Sequence, residues 1–177
     1  MTTDPPPAFV SGILLAAGRS RRFGTQAPKQ LFEIDAEPLV RRAARAALGS
    51  RLAELVVVLG HEAETVGAAL EGLAVRRVLN PDFAAGQSTS VRRGLAERDP
   101  RARAAVFVPC DQPWLTGAVI DALLDAYFES HGPIVVPSWR GRRGSPVLFD
   151  HALFPELDAL SGTSGGGRSS SGTLARW

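Results

Sequence analysis

Five apolar residues, Ile13 to Ala17, run straight into a turn opened by Gly18. A run that short, with glycine directly behind it, reads as a buried strand, because a helix needs about ten residues or more to bury itself. The turn is rich in glycine and positive charge. Gly18 and Gly24 bracket Arg19, Arg21 and Arg22, and Lys29, the only lysine of the chain, follows shortly. Glycine lets the backbone come close to a ligand, so several N–H groups can converge on one anion. Guanidinium and ammonium groups add charge matched to phosphate oxygens. A first strand that delivers such a loop reads as a triphosphate grip. The same composition also fits an ordinary basic surface loop between strand and helix.

Two common phosphate loops do not fit. The P-loop needs four residues between its glycines and then Gly-Lys-Ser/Thr. Here five residues separate Gly18 from Gly24, and Thr25 follows. The dinucleotide fingerprint Gly-x-Gly-x-x-Gly is absent as well.

The rest of the chain alternates strand and helix. Residues 39–48 carry apolar side chains at helical spacing, with Pro38 suited to a first turn. Glu54 to Gly60 reads as a second buried strand, 62–71 as a helix and Val75 to Leu79 as a short strand. A helix over 87–98 follows, then a buried strand from Ala104 to Pro109. Thr116 is placed to cap a helix reaching about Ser130, and Ile134 to Val136 reads as one more strand. Continuous apolar strands between helices imply an α/β fold of three layers, a mostly parallel sheet with helices on both faces. Ligands of such sheets bind beyond the carboxyl ends of the strands.

At 177 residues the chain is one domain by length. Its organisation reads as a disordered lead-in over 1–8, a domain over 9–160 and a Gly/Ser-rich, disordered tail over 161–177. The net charge of +2 comes from 20 Lys/Arg against 18 Asp/Glu, too balanced to argue for a nucleic-acid partner. One cysteine, Cys110, excludes a disulfide framework and a cysteine-cluster metal site. The start lacks the pattern of a signal peptide, and no apolar run reaches membrane-spanning length. The expected compartment is the cytoplasm, with no membrane partner.

Three segments fall at expected strand exits. The first is the Gly18–Lys29 loop. The second is Val108-Pro109-Cys110-Asp111-Gln112-Pro113, where Asp111 offers one carboxylate opposite the cationic loop. That suits Mg²⁺, which keeps several waters and is held by one or two carboxylates plus phosphate oxygens. Asp111 could equally just end the strand. The third runs from Asn80 through Gly86, Ser88 and Ser90 to Leu95. There Gly86 permits close approach, and the serines either read a base or ribose or simply cap the helix.

These residues together resemble a known family. Leu15-Ala16-Ala17-Gly18-Arg19-Ser20-x-Arg22-Phe23-Gly24 with Lys29, then Asn80…Gly86-Gln-Ser-Thr-Ser90-Val, then Cys110-Asp111-Gln-Pro113, then Gly144-Ser-Pro146-Val-Leu-Phe149 look like the MobA-like NTP transferases. The molybdenum cofactor cytidylyltransferase branch is the most similar. The resemblance covers roughly residues 10–160 and implies a Rossmann-like nucleotidyltransferase. It implies transfer of CMP from CTP to a molybdopterin-type cofactor, with Mg²⁺ and release of pyrophosphate. By resemblance, Leu15, Ala16, Ala17, Gly18, Arg19, Gly24, Lys29, Asn80, Gly86 and Ser90 bind the nucleotide. Arg22, Lys29 and Asp111 are catalytic, Asp111 also holding the metal. Arg140, Arg142, Arg143, Gly144 and Pro146 meet the acceptor, and a molybdoenzyme is the implied cofactor recipient.

After Leu160 the chain departs from the family's Gly-Asp-x-Gly-Gly-Arg and Asp-x-Asp-Thr-Pro. Gly162-Thr-Ser-Gly-Gly-Gly-Arg168 keeps the glycines and the arginine without the aspartate. Two alternatives stay open: a non-catalytic, truncated nucleotide or cofactor binder, and a transferase with another phosphorylated acceptor or with GTP as donor.

Overall fold

The computed structural model of the protein describes residues 9–19 and 28–161. The lead-in over 1–8, Arg22 and Gly24 of the cationic loop, and the tail beyond Ser161 lie outside the described residues.

The expected buried strand is β1 (Val10–Ala16), which starts three residues before Ile13. Polar Ser11 is accommodated at 0% exposure because its hydroxyl donates to Glu54 Oε1 at 2.6 Å. Then come β2 (Glu33–Ile34), β3 (Glu37–Pro38), α1 (Leu39–Leu48), β4 (Glu54–Leu59), α2 (Ala63–Ala68) and β5 (Arg76–Leu79). The second half holds α3 (Gln87–Ala96), β6 (Ala104–Pro109), α4 (Gly117–Ser130), β7 (Ile134–Val135), β8 (Ser138–Trp139), β9 (Arg142–Arg143), β10 (Val147–Asp150) and α5 (Phe154–Asp158).

The main sheet has the order β5-β4-β1-β6-β10-β7. Strands β5, β4, β1 and β6 are mutually parallel, and β10 is antiparallel to both β6 and β7. Alternate side chains enter different layers. Leu14 and Ala16, Leu55 and Val57, and Ala104 and Val106 pack on one face with Val40, Ala44, Ile120 and Leu124 of α1 and α4. Ile13, Val56, Val58, Ala105 and Phe107 pack on the other face with Val91 and Leu95 of α3 and Phe154 and Leu157 of α5. Coverage of both faces explains why these strands are apolar throughout instead of alternating with polar residues.

The three helix starts differ in detail from expectation. Thr116 does hold the N-cap position of α4, but its side chain makes no cap bond. Neither Ser88 nor Ser90 caps α3; the N-cap is Gly86, at φ 126°. Glycine is required there, since other residues rarely adopt that conformation. Pro38 precedes α1 as its N-cap instead of entering its first turn.

Register places the site. Ala16 pairs with Leu59, Leu15 with Pro109, and Leu59 with Leu79, so β1, β4, β5 and β6 end level with one another. Strand β7 runs parallel to β6 across the antiparallel β10, so the β8–β9 hairpin rises from that same carboxyl edge. No helix among the described residues is long and apolar enough to cross a membrane.

Candidate functional site

The loop leaving β1 is fixed from below by a residue the motif reading left without a role. Gln30 is buried, and its Nε2 donates to Ala16 O at 3.1 Å and Gly18 O at 2.7 Å. It stands in the single 3-10 turn Lys29–Leu31 that follows the loop. That turn also orients Lys29, whose Nζ lies 2.9 Å from Asp111 Oδ2. The loop after β1 and the exit of β6 therefore meet at one ion pair. The Asp111 side chain is half exposed at 48%, so its carboxylate is open to a further ligand.

Ala16 and Ala17 are buried, and Gly18 is exposed. A Cβ built at Gly18 meets nothing within 4 Å. The fold does not itself demand glycine there, which leaves the space above the backbone open. We expect Gly18→Ala to leave the melting temperature within about 2 °C of wild type, since exposed substitutions stay within about 0.5 kcal/mol. Affinity for NTP should fall at least fivefold in calorimetric titration. Unchanged affinity would return the segment to an ordinary basic loop.

A different glycine is enforced by packing. A Cβ at Gly60 would lie 2.8 Å from Ala17 Cβ and 2.7 Å from Phe83 Cβ. Phe83 thereby joins three strand exits. The Arg19 guanidinium lies 5.2 Å from its ring centroid, and the His61 ring lies 6.0 Å away. The position of Phe83, just beyond Asn80-Pro81, is the only trace of this role in the sequence.

Asn80 is 2% exposed, and its amide is committed inside the protein. Nδ2 donates to Thr89 Oγ1 at 2.9 Å and Ser90 Oγ at 3.0 Å, while Oδ1 accepts from Asp82 N at 3.0 Å. Both amide hydrogens are used, so Asn80 ties the end of β5 to the first turn of α3. Ser90 Oγ accepts from Asn80 but keeps its own hydrogen to donate.

Beside Asp111, burial and the neighbouring carboxylate push the Cys110 thiol up to about 12. It stays protonated at neutral pH, which suits neither a nucleophile nor a metal ligand. Among the described residues no group of three or more His, Cys, Asp or Glu converges. Asp111 therefore belongs to no three-ligand protein cluster among the described residues. This donor set fits Mg²⁺ held jointly with phosphate oxygens and water, and not a metal caged by protein alone.

On the other flank, Arg140 at φ 48° and Gly141 at φ 76° make the tight turn of the β8–β9 hairpin. Trp139, Arg140, Arg142 and Arg143 are all exposed, and Arg140 lies 5.7 Å from the Trp139 ring centroid. Gly144 N–H donates to Pro137 O at 2.8 Å, closing the base of the hairpin. Pro146 is buried at the start of β10, a packing position rather than a presented one.

The sequence matches the MobA-like NTP transferase domain over residues 12–176. The chain belongs to that family. It is 33% identical over 174 residues to the nicotine blue oxidoreductase of Paenarthrobacter nicotinovorans, covering 92% of this chain and 81% of the relative. It is 30% identical to the bifunctional protein GlmU of Carboxydothermus hydrogenoformans, but spans only 26% of that protein's length. The crystal structure of Rv0371c from Mycobacterium tuberculosis H37Rv superposes with a TM-score of 0.77 at 31% identity, over 90% of this chain and 80% of that one. Its complex with manganese gives 0.75 at 29%, over 89% and 79%. The fold is that of the Rossmann-like nucleotidyltransferases, as the family resemblance implied.

Proposed function

We propose that the protein transfers CMP from CTP to a phosphate of a molybdopterin-type acceptor and releases pyrophosphate. The observation that carries this reading is the meeting of Lys29 and Asp111 at 2.9 Å on the carboxyl edge of the sheet. Family membership supports a nucleotide there, and the manganese complex of Rv0371c supports a divalent cation.

The chemistry needs positioning and charge neutralisation, with no covalent enzyme intermediate. An acceptor phosphate oxygen attacks the α-phosphorus of CTP, a P–O bond forms, and the bond to the β-phosphate oxygen breaks in line. Lys29, with Arg22 from the same loop, neutralises charge on the transferring and leaving phosphates. Asp111 is the residue that would hold Mg²⁺, which when bound stabilises negative charge on the phosphate oxygens. The backbone from Leu15 to Arg19, with Gly24, borders the nucleotide, and Gly86 lets it approach the start of α3. Asn80 acts by holding that turn in place. Arg140, Arg142 and Arg143 supply cations for the acceptor's phosphate, with Gly144 fixing the hairpin base. The cytoplasm as compartment and a molybdoenzyme as recipient belong to this reading.

The test is pyrophosphate release from CTP and from GTP, each with Mg²⁺, with and without the pterin acceptor. Acceptor-dependent release favouring CTP is expected. A second reading draws support from the relative named nicotine blue oxidoreductase, which aligns over most of this chain. Oxidation of NAD(P)H by an aromatic acceptor, without pyrophosphate release, would establish that one instead. Nucleotide binding with neither signal would identify a non-catalytic binder.

A further inference from the structure

Arg19 and Lys29 stand toward the two ends of the loop after β1, and the fold holds them differently. Lys29 is drawn to a carboxylate, its Nζ 2.9 Å from Asp111 Oδ2. Among the described residues Arg19 pairs with no carboxylate. Its guanidinium lies instead over the ring of Phe83, 5.2 Å from the centroid. The two kinds of partner leave different chemistry behind. A carboxylate takes up N–H donors and cancels charge. An aromatic face holds the flat of a guanidinium and leaves the donors on its edge unspent. Arg19 is thus held in place with its charge and its donors available to an anion.

The seat itself is fixed. Phe83 opens the 3-10 turn Phe83–Ala85 beyond β5, and its side chain is partly buried against the layer that holds Ile13, Ala17 and Val58. The exit of β4 runs against its base, since a Cβ on Gly60 would come within 2.7 Å of Phe83 Cβ. That exit is tied on both sides: His61 N donates to Ala17 O at 3.1 Å, and Asn80 N donates to Leu59 O at 2.8 Å. The His61 ring flanks the Phe83 ring, 6.0 Å away and tilted by 39°. A ring held this way restricts a long side chain that is otherwise rich in rotamers. An aliphatic residue could fill the same space without attracting the cation.

We propose that Phe83 is a positioning residue whose ring face seats the Arg19 guanidinium, so that its free donor edge meets a phosphate of the incoming nucleotide. This rests on the nucleotide reading above and adds to it a requirement for an aromatic ring at position 83. The gain is preorganisation: the freedom of Arg19 is given up on folding and not again on binding.

The experiment is calorimetric titration of CTP–Mg²⁺ into wild type, Phe83→Leu, Phe83→Tyr, Arg19→Ala and the Arg19→Ala/Phe83→Leu double variant, with thermal melting of each free protein. Phe83→Leu keeps an apolar side chain and removes the ring. It should weaken CTP binding about three- to fivefold, the upper part of the range for an exposed cation–π contact. Phe83→Tyr keeps the ring face and should stay within about 1.5-fold of wild type. In the Arg19→Ala background Phe83→Leu should cause no further loss, because no guanidinium is left to seat. Inorganic tripolyphosphate with Mg²⁺ as titrant should give the same pattern, which a contact to base or ribose would not. An equal loss on Phe83→Leu in both Arg19 backgrounds overturns the proposal and leaves Phe83 a packing residue. So does a Phe83→Leu protein that binds CTP as wild type does, a Phe83→Tyr protein as weak as Phe83→Leu, or a tripolyphosphate affinity that Phe83→Leu does not change. Should Phe83→Leu melt below the assay temperature, Phe83→Met takes its place in the same comparison. If wild type binds neither titrant, the nucleotide reading fails and the proposal with it. If wild type binds CTP and only the coupling is absent, the nucleotide reading stands and the role of Phe83 alone falls.

Discussion

Asp111→Ala should lower CMP transfer by about a thousandfold while the protein stays folded. The rate effect follows from losing several kcal/mol of charge stabilisation at the transferring phosphate, at about 1.4 kcal/mol per tenfold. The fold should tolerate the change because the Asp111 side chain is 48% exposed, and an exposed ion pair contributes at most about 1 kcal/mol. Asp111→Asn sharpens the test by keeping the shape and removing the charge; it should be nearly as slow. The 2.9 Å pairing also predicts coupling. In the free protein Lys29 and Asp111 hold each other, whereas an incoming triphosphate draws Lys29 and its cation draws Asp111. Lys29→Ala and Asp111→Ala should then be non-additive in a double-mutant cycle on kcat/KM. Transfer within tenfold of wild type in Asp111→Ala would remove this residue from the metal site.

The parallel half of the fold was legible because burial on both faces leaves a plain mark: β1, β4 and β6 are short apolar runs ended by Gly or Pro. The antiparallel part left a weaker one. Strand β10 hides inside Gly144-Ser-Pro146-Val-Leu-Phe149, which reads as a motif, and its pairing with β6 and β7 depends on partners about 40 and 13 residues away in the chain. Helix α5 has five residues and begins Phe-Pro, too short for periodicity to show. The two small hairpins have two-residue strands, below any pattern.

The site divides in the same way. Residues that present charge or backbone to a ligand, such as Gly18, Lys29 and Asp111, stand out by type at a strand exit. Residues that act through other protein groups do not. Gln30 reaches back 14 residues to Ala16, and Asn80 reaches forward to a helix turn. Phe83 acts through the Arg19 guanidinium above its ring, a pairing that no sequence spacing shows.

The change with the largest expected effect on stability is Gly94→Ala, in the last turn of α3. In an exposed helix this substitution would gain about 1 kcal/mol from helix propensity. Here a Cβ would stand 2.4 Å from Ile13 Cγ2 and 3.2 Å from Val58 Cγ2. Both partners are fully buried and β-branched, so neither can swing aside without leaving its preferred rotamer. Overpacking of this kind costs about 1–3 kcal/mol, and a contact this short belongs at or beyond the upper end. The clash therefore outweighs the propensity gain, and the melting temperature should drop by roughly 3–8 °C for a domain of this size. The helix must also move off β1, which displaces the turn bearing Ser90, so CTP should bind more weakly in the part of the population that stays folded. Adding Ile13→Ala removes the Cγ2 that is struck. Although costly alone, it should be at least about 1 kcal/mol less damaging in the Gly94→Ala background than in wild type. A Gly94→Ala protein as stable as wild type, or strictly additive behaviour with Ile13→Ala, would show that α3 does not rest on β1 through this glycine.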